Sequence, residues 1–277
     1  MKSQLLKKSI STYLLTMALP MVGLTAQTLL IEEDFGGLSS DRLDGDTASY
    51  FNPLLSSSGG SSTWVGMNEF NQDGSVDVKG AVGAYGSAYL TLGSYVNDAK
   101  GNEDAIFSLE ATFSNTSAVA AGTWIGVGFY EGTPSVNNAF FTTSANNTSF
   151  ATALLRAEGD SGSEYYAGPN TTSSYDAGAI SGTVTYKIVL DYSSAGGYDG
   201  VTNFGTVYFY RNGSNIADFS SALPDLAVDA ISLTKTNNTT LGDYESLTFV
   251  QIPEPSSVAL TIAFGALCGT FILRRRR

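Results

Sequence analysis

The 277-residue chain contains no histidine and a single cysteine, Cys268. The first absence excludes Ser-His-Asp and Cys-His catalysis, histidine-ligated zinc, and the side chain most often used as a general base near neutral pH. The second excludes an intramolecular disulfide. Basic residues are scarce too, with 14 Lys and Arg against 26 Asp and Glu. Half of these bases sit at the ends, as Lys2, Lys7, Lys8 and Arg274, Arg275, Arg276 and Arg277. Between Gln27 and Ile252, 7 basic residues therefore face 25 acidic ones, a net charge of −18. Such a surface repels nucleic acid and anionic lipid headgroups, and suits neutral polysaccharide or divalent cations. The middle of the chain also lacks long apolar runs.

Both such runs lie at the termini. Lys2, Lys7 and Lys8 precede the apolar Ser9–Leu19, and Pro20 breaks the run before Leu24-Thr25-Ala26. This is the pattern of a secretory signal peptide, residues 1–26, with cleavage expected after Ala26. At the other end, Pro253-Glu254-Pro255 is followed by the uncharged run 256–273 and then the four arginines. Its 18 residues would span ~27 Å as a helix, close to the hydrocarbon thickness of a bilayer. Arginines resist translocation, so they hold that end on the cytoplasmic side.

This ordered tail resembles the PEP-CTERM sorting signal of Gram-negative bacteria. The resemblance implies that an exosortase-type membrane protease recognises Pro253, Glu254 and Pro255 and cleaves there. It further implies transient anchoring in the inner membrane, then release to the cell surface or extracellular matrix, in a role linked to exopolysaccharide. The expected organisation is a leader (1–26), an ectodomain (27–250) and a sorting signal (251–277) with a transmembrane helix over 256–273.

Within the ectodomain the spacing of apolar residues follows period two rather than the three-to-four of helices. In Thr185–Tyr192, Tyr186, Ile188, Leu190 and Tyr192 take one face, and Lys187 and Asp191 the other. Thr206–Arg211 is β-branched and aromatic. Asn212-Gly213 then supplies a tight hairpin turn, with Ile216–Phe219 as the expected return strand. Further strands are expected near Leu29–Phe35, Ser75–Val78, Ala88–Leu92, Ala105–Phe113, Thr123–Tyr130, Thr152–Arg156, Ala227–Leu233 and Tyr244–Val250. Leu55–Thr63, Asn137–Ser149 and Gly159–Ser174 read as polar loops. Many short strands with Gly- and Asn-rich turns imply an all-β fold, a single antiparallel jelly-roll β-sandwich.

Asp34-Phe35, Trp124-Ile125-Gly126-Val127-Gly128-Phe129, Leu155-Arg156, Tyr186–Asp191, Val207–Gly213 and Gly242-Asp243-Tyr244 follow one another in an order similar to the concanavalin A-like (LamG-like) sandwiches of secreted bacterial proteins. That family includes lectins and glucanases, so the resemblance bears on fold more than on function.

Three chemistries suit such a sandwich. Retaining glycosidases need two carboxylates about 5 Å apart, and glucanases of this family carry theirs at alternate positions of one strand. Here Glu32-Glu33-Asp34 are consecutive, so adjacent side chains alternate faces, and Asp98, Glu103 and Asp104 fall in a polar loop; catalysis is not expected. Calcium is the cofactor that oxygen-rich loops would hold, with Asp98–Asp104 and Asp243 supplying ligands, although Lys100 interrupts the set and no metal residues are assigned. Carbohydrate would stack on loop aromatics, foremost Tyr165 and Tyr166, with Tyr175, Tyr198 and Trp64 beside them. The expectation is an exported, non-catalytic surface protein, with a carbohydrate-binding or adhesion module as the alternative and a glycoside hydrolase a distant third.

Overall fold

The computed structural model describes residues 27–35, 43–66, 70–72, 76–78, 85–102, 105–116, 123–133, 148–158, 160–168, 171–177, 182–194, 196–236 and 243–253. The expected leader, the tail from Glu254 onward, and Glu103 and Asp104 lie outside them. Among the described residues no helix is long and apolar enough to cross a membrane.

Residues Thr28–Gln251 form one compact unit, an antiparallel β-sandwich of the expected class. One sheet runs in the order β14 (Phe219–Ala222), β13 (Thr206–Arg211), β12 (Gly182–Asp191), β7 (Ile106–Thr116), β16 (Asp243–Ile252), β1 (Thr28–Glu33) and β2 (Tyr50–Phe51). Two short strands, β5 (Val76–Val78) and β4 (Phe70–Gln72), join it beside the start of β16. The other sheet runs β11 (Thr171–Ala177), β10 (Asp160–Gly168), β9 (Thr148–Glu158), β8 (Thr123–Glu131), β15 (Ala230–Thr236), β6 (Tyr85–Thr91) and β3 (Val65–Gly66). Two single-turn helices, α1 (Pro53–Ser57) and α2 (Tyr95–Ala99), lie in the connections. Asn52 caps α1 by accepting the Leu54 N–H, and Pro53 stands where a helix needs no N–H donor.

Alternation drives the assembly. Val184, Tyr186, Ile188 and Leu190 of β12, Val207 and Phe209 of β13, and Phe107, Leu109, Ala111 and Phe113 of β7 are all buried inward. Ile125, Val127 and Phe129 of β8, Leu155 of β9, and Ile231 and Leu233 of β15 meet them from the second sheet. Aromatic contacts stitch the layers: Tyr165 stacks on Phe209 with centroids 4.9 Å apart, and Phe129 meets Phe249 edge-on at 5.8 Å. The Tyr244 hydroxyl, wholly buried, sits 2.6 Å from the Thr234 carbonyl oxygen and 2.8 Å from that of Gly126. A core strand of the first sheet thereby satisfies backbone carbonyls of the second, and the cost of burying the hydroxyl is offset.

The glycines of the Trp124–Phe129 motif have a packing cause. A Cβ on Gly126 would fall 2.1 Å from the Leu154 side chain, and one on Gly128 would fall 2.6 Å from Thr152 Oγ1. Side chains of β9 therefore lie across the outer surface of β8, which only glycine permits.

Three local expectations need correction. Gly159–Ser174 is not a loop: β10 and β11 form a hairpin there, and their polar residues pair along a register from Gly162 opposite Ala177 to Gly168 opposite Thr171. Backbone pairing, not apolar alternation, makes these strands, so periodicity missed them. The segment Leu55–Thr63 includes the end of α1. The turn Asn212-Gly213 has positive φ at both residues, 51° and 71°, as a tight hairpin requires. The return strand nevertheless begins only at Phe219, because Ser214 Oγ bonds both the Ile216 carbonyl and the Ile216 N–H and holds a further polar turn. Ile216 is consequently 80% exposed rather than paired.

Candidate functional site

Two of the five aromatic rings expected to meet a ligand belong to the core. Tyr165 is wholly buried, with its ring on Phe209 and its hydroxyl donating to Asp218 Oδ2 at 2.7 Å. Burial, then the Asp218 carboxylate, push its phenol far above the ordinary tyrosine range. Tyr166 points to the other side of β10 but is only 8% exposed. Trp64 is wholly buried, its indole N–H donating to Glu33 Oε2 at 2.9 Å. Tyr198 is half-buried and packs edge-on against Tyr192, and Tyr175 stands on β11 opposite Glu164. Tyr165 and Trp64 are therefore core residues in this structure, a correction to their expected place on the surface. Sequence alone hid this because both lie next to polar residues.

The carboxylates are equally absorbed by structure. Glu33 is wholly buried, accepting from Trp64, from Ser49 Oγ at 3.0 Å and from the Phe35 N–H at 3.0 Å. Asp98, the first residue of the expected calcium loop, accepts from Ser94 Oγ at 2.6 Å. Lys100 turns away from it: its ammonium donates to the Leu226 carbonyl at 2.7 Å and sits 4.7 Å from the centre of the Tyr192 ring. Around this end Asp229 accepts from the Gly132 N–H and from Asn97 Nδ2, and Glu131 accepts from the Ala227 N–H. Burial lowers the Lys100 pKa from the ordinary lysine value, and Asp225, Asp229 and Glu131 oppose that shift. Among the described residues no group of three or more Asp, Glu, Cys or His is placed to hold a metal ion.

The alternation expected of Glu32-Glu33-Asp34 is present. Glu32 and Asp34 stand two residues apart and both are exposed, whereas Glu33 between them is buried. Asp34 accepts from Ser49 Oγ at 2.9 Å.

The outer surfaces of the two sheets differ. On the seven-stranded sheet, the outward residues Ser87, Tyr89, Tyr130, Thr152, Leu154, Glu164, Tyr166, Ser232 and Thr234 are all buried, so the rings of Tyr89, Tyr130 and Tyr166 are not open to a ligand. On the nine-stranded sheet, part of the outward face of β13, β12 and β7 meets solvent. Antiparallel register sets Tyr210 beside Lys187 and Lys187 beside Glu110, and in the next outward row sets Tyr208 beside Val189 and Val189 beside Ser108. The Lys187 ammonium lies 5.3 Å from the centre of the Tyr210 ring. Thr185 and Thr112 are bonded through their hydroxyls at 3.0 Å one row further on. Tyr208, Tyr210 and Lys187 are half-buried and Glu110 is exposed. The result is a shelf with two rings along one strand and hydrogen-bonding side chains across the adjoining two. Thr206–Arg211 was legible as a strand, but which of its aromatics face outward follows from its pairing with β12.

No family model matches the chain, and no curated protein matches it. Among solved structures it is similar to the CBM2 module of the evolved Dit of Lactobacillus casei BL23 phage J-1, with 11% identity over 82% of this chain and 96% of that one and a TM-score of 0.45. It is similar to an endo-1,3-β-glucanase from Streptomyces sioyaensis, with 12% identity over 82% and 97% and a TM-score of 0.43. It is also similar to a legume lectin-like domain from Entamoeba histolytica, with 12% identity over 68% and 87% and a TM-score of 0.40. Likenesses this distant assign no activity, and the function has to be argued from the chain's own surfaces.

Proposed function

We propose that this protein is an exported surface protein whose β-sandwich binds carbohydrate without cleaving it. The observation that carries the reading is the open face of the nine-stranded sheet, where Tyr208 and Tyr210 stand half-exposed beside hydrogen-bonding side chains. Sugars are recognised by such a pairing of aromatic surface with polar groups. In this reading the leader exports the chain, the apolar run 256–273 holds it in the inner membrane, and an exosortase-type protease releases it near Pro253, Glu254 and Pro255 to the cell surface or matrix. Calcium, if used, is a proposed partner of the polar loops, not of the shelf.

The direct test presents the purified protein to a glycan array and then to laminarin, xylan, agar and alginate, with and without calcium, while reducing ends are measured. Retention on at least one glycan with no release of reducing ends is expected. Release that disappears in Glu32→Gln or Asp34→Asn would make the protein a hydrolase and place its acids at the end of β1.

A further inference from the structure

We infer that the shelf formed by Tyr208, Tyr210, Lys187 and Glu110 takes an extended, uncharged polysaccharide chain lying along β13; this rests on the carbohydrate-binding reading above. Three features point to that class of ligand. The two rings are two residues apart on one strand, so they recur about 7 Å apart along its direction. Such a row offers apolar surface to consecutive units of a linear chain rather than a pocket for one sugar. The neighbours Val189 and Ser108 are short and buried, so what the face presents is the two rings with Lys187 and Glu110. A polymer lying along that row can pass without an end being recognised.

Charge selects within that class. The only base of the shelf, Lys187, already has the Tyr210 ring and Glu110 as neighbours, and Asp191 lies on the same outward face of β12. The ectodomain around it carries a net charge of −18. A polyanion approaching within the ~8 Å over which charges act at physiological ionic strength meets net repulsion. A neutral chain meets none. Lys187 and Glu110 supply a donor and an acceptor for its hydroxyls.

The experiment measures retention of the full-length protein, in detergent, by laminarin and by alginate in affinity electrophoresis. It compares wild type with Tyr208→Thr/Tyr210→Thr, which keeps β-branched residues on the strand, and with Tyr208→Phe/Tyr210→Phe, which keeps the rings. Wild type should be retarded by laminarin and not by alginate. The threonine pair should bind laminarin at least tenfold more weakly with its melting temperature preserved, and the phenylalanine pair should bind within a few-fold of wild type. Wild-type laminarin binding by the folded threonine pair would place the site elsewhere and overturn the inference while sparing the binding reading. Should the threonine pair fail to fold, Lys187→Glu decides: stronger alginate retention than laminarin in wild type, or laminarin binding unchanged by Lys187→Glu, overturns the shelf. Wild-type failure to bind any glycan overturns the reading itself. So does a concentration-dependent dimer that the threonine pair abolishes, because the face would then belong to a second copy of the chain.

Discussion

Phe209 shows what a single position carries. Its ring is wholly buried, stacked on Tyr165 at 4.9 Å and within 6.2 Å of Phe219, so it joins β13 to both β10 and β14. Phe209→Ala should cost about 3–5 kcal/mol, as the loss of a buried ring and the cavity it leaves generally do. Chemical denaturation reads this as a lower midpoint with an unchanged slope, and wild-type stability would mean the inward face of β13 is wrongly assigned. Tyr165, its stacking partner, cannot also serve a ligand: its hydroxyl belongs to Asp218, which in turn faces the Arg211 guanidinium at 3.7 Å. Arg211 also donates to Ser163 at 3.2 Å, and Ser163 bonds Tyr186 at 2.7 Å. One polar chain thus ties β13 and β12 to β10, and each member is satisfied by the next.

At the scale of elements, the connections at one end of the sandwich are held by side chains rather than by secondary structure. Asp199 accepts the N–H groups of Asn203, Thr202 and Val201 and the Thr202 hydroxyl. These bonds, that from Asn203 foremost, hold its carboxyl well below the usual carboxylate range. A carboxyl with a depressed folded pKa contributes its full stabilisation above its unfolded value near 3.9 and loses it as the pH falls further. Protection of the Val201, Thr202 and Asn203 amides, measured as the exchange rate relative to the intrinsic rate at the same pH, should therefore be greatest at pH 6 and fall below about pH 4. In Asp199→Ala it should be low at both, and wild-type protection that does not change between them would remove the claim.

Lys100 ties α2 to the segment before β15 through Leu226 and covers the Tyr192 ring. Lys100→Met keeps the stem but loses the charged donor, and should lower stability on the order of 1–3 kcal/mol, with Lys100→Arg intermediate. A melting temperature identical to wild type in the methionine variant would show that the contact contributes nothing.

For the whole molecule, the apolar run before Arg274–Arg277 and the Pro-Glu-Pro that precedes it make the chain's fate testable independently of its ligand. Mass spectrometry of the surface population should find the mature C-terminus near Pro253–Pro255, and intact tail peptides in most molecules would contradict processing. Replacing the four arginines with serine should weaken retention in the membrane, because each resists crossing by about 2.5–3.5 kcal/mol at mid-bilayer. A topology reporter that reads the same in both versions would remove that claim.

What the amino-acid order determined by itself is the class of fold and much of its inner face. Alternation in Thr185–Tyr192 and Thr206–Arg211 assigns Tyr186, Ile188, Leu190, Val207 and Phe209 to the core, because a pleated strand with one wet face has no other way to bury them. Composition also excluded histidine and thiol chemistry in the sandwich. Tertiary structure alone decided the rest. Adjacent tyrosines at 165 and 166 look alike in sequence, yet the pleat sends one into the core and the other to the far side of β10. The hairpin of β10 and β11 has too little apolar alternation to announce itself and exists because each strand supplies the other's backbone partners. Tyr208 and Tyr210 become a surface only once β12 and β7 lie beside them. A strand's own order says which residues share a face, but which face meets water is set by the sheet packed against the other.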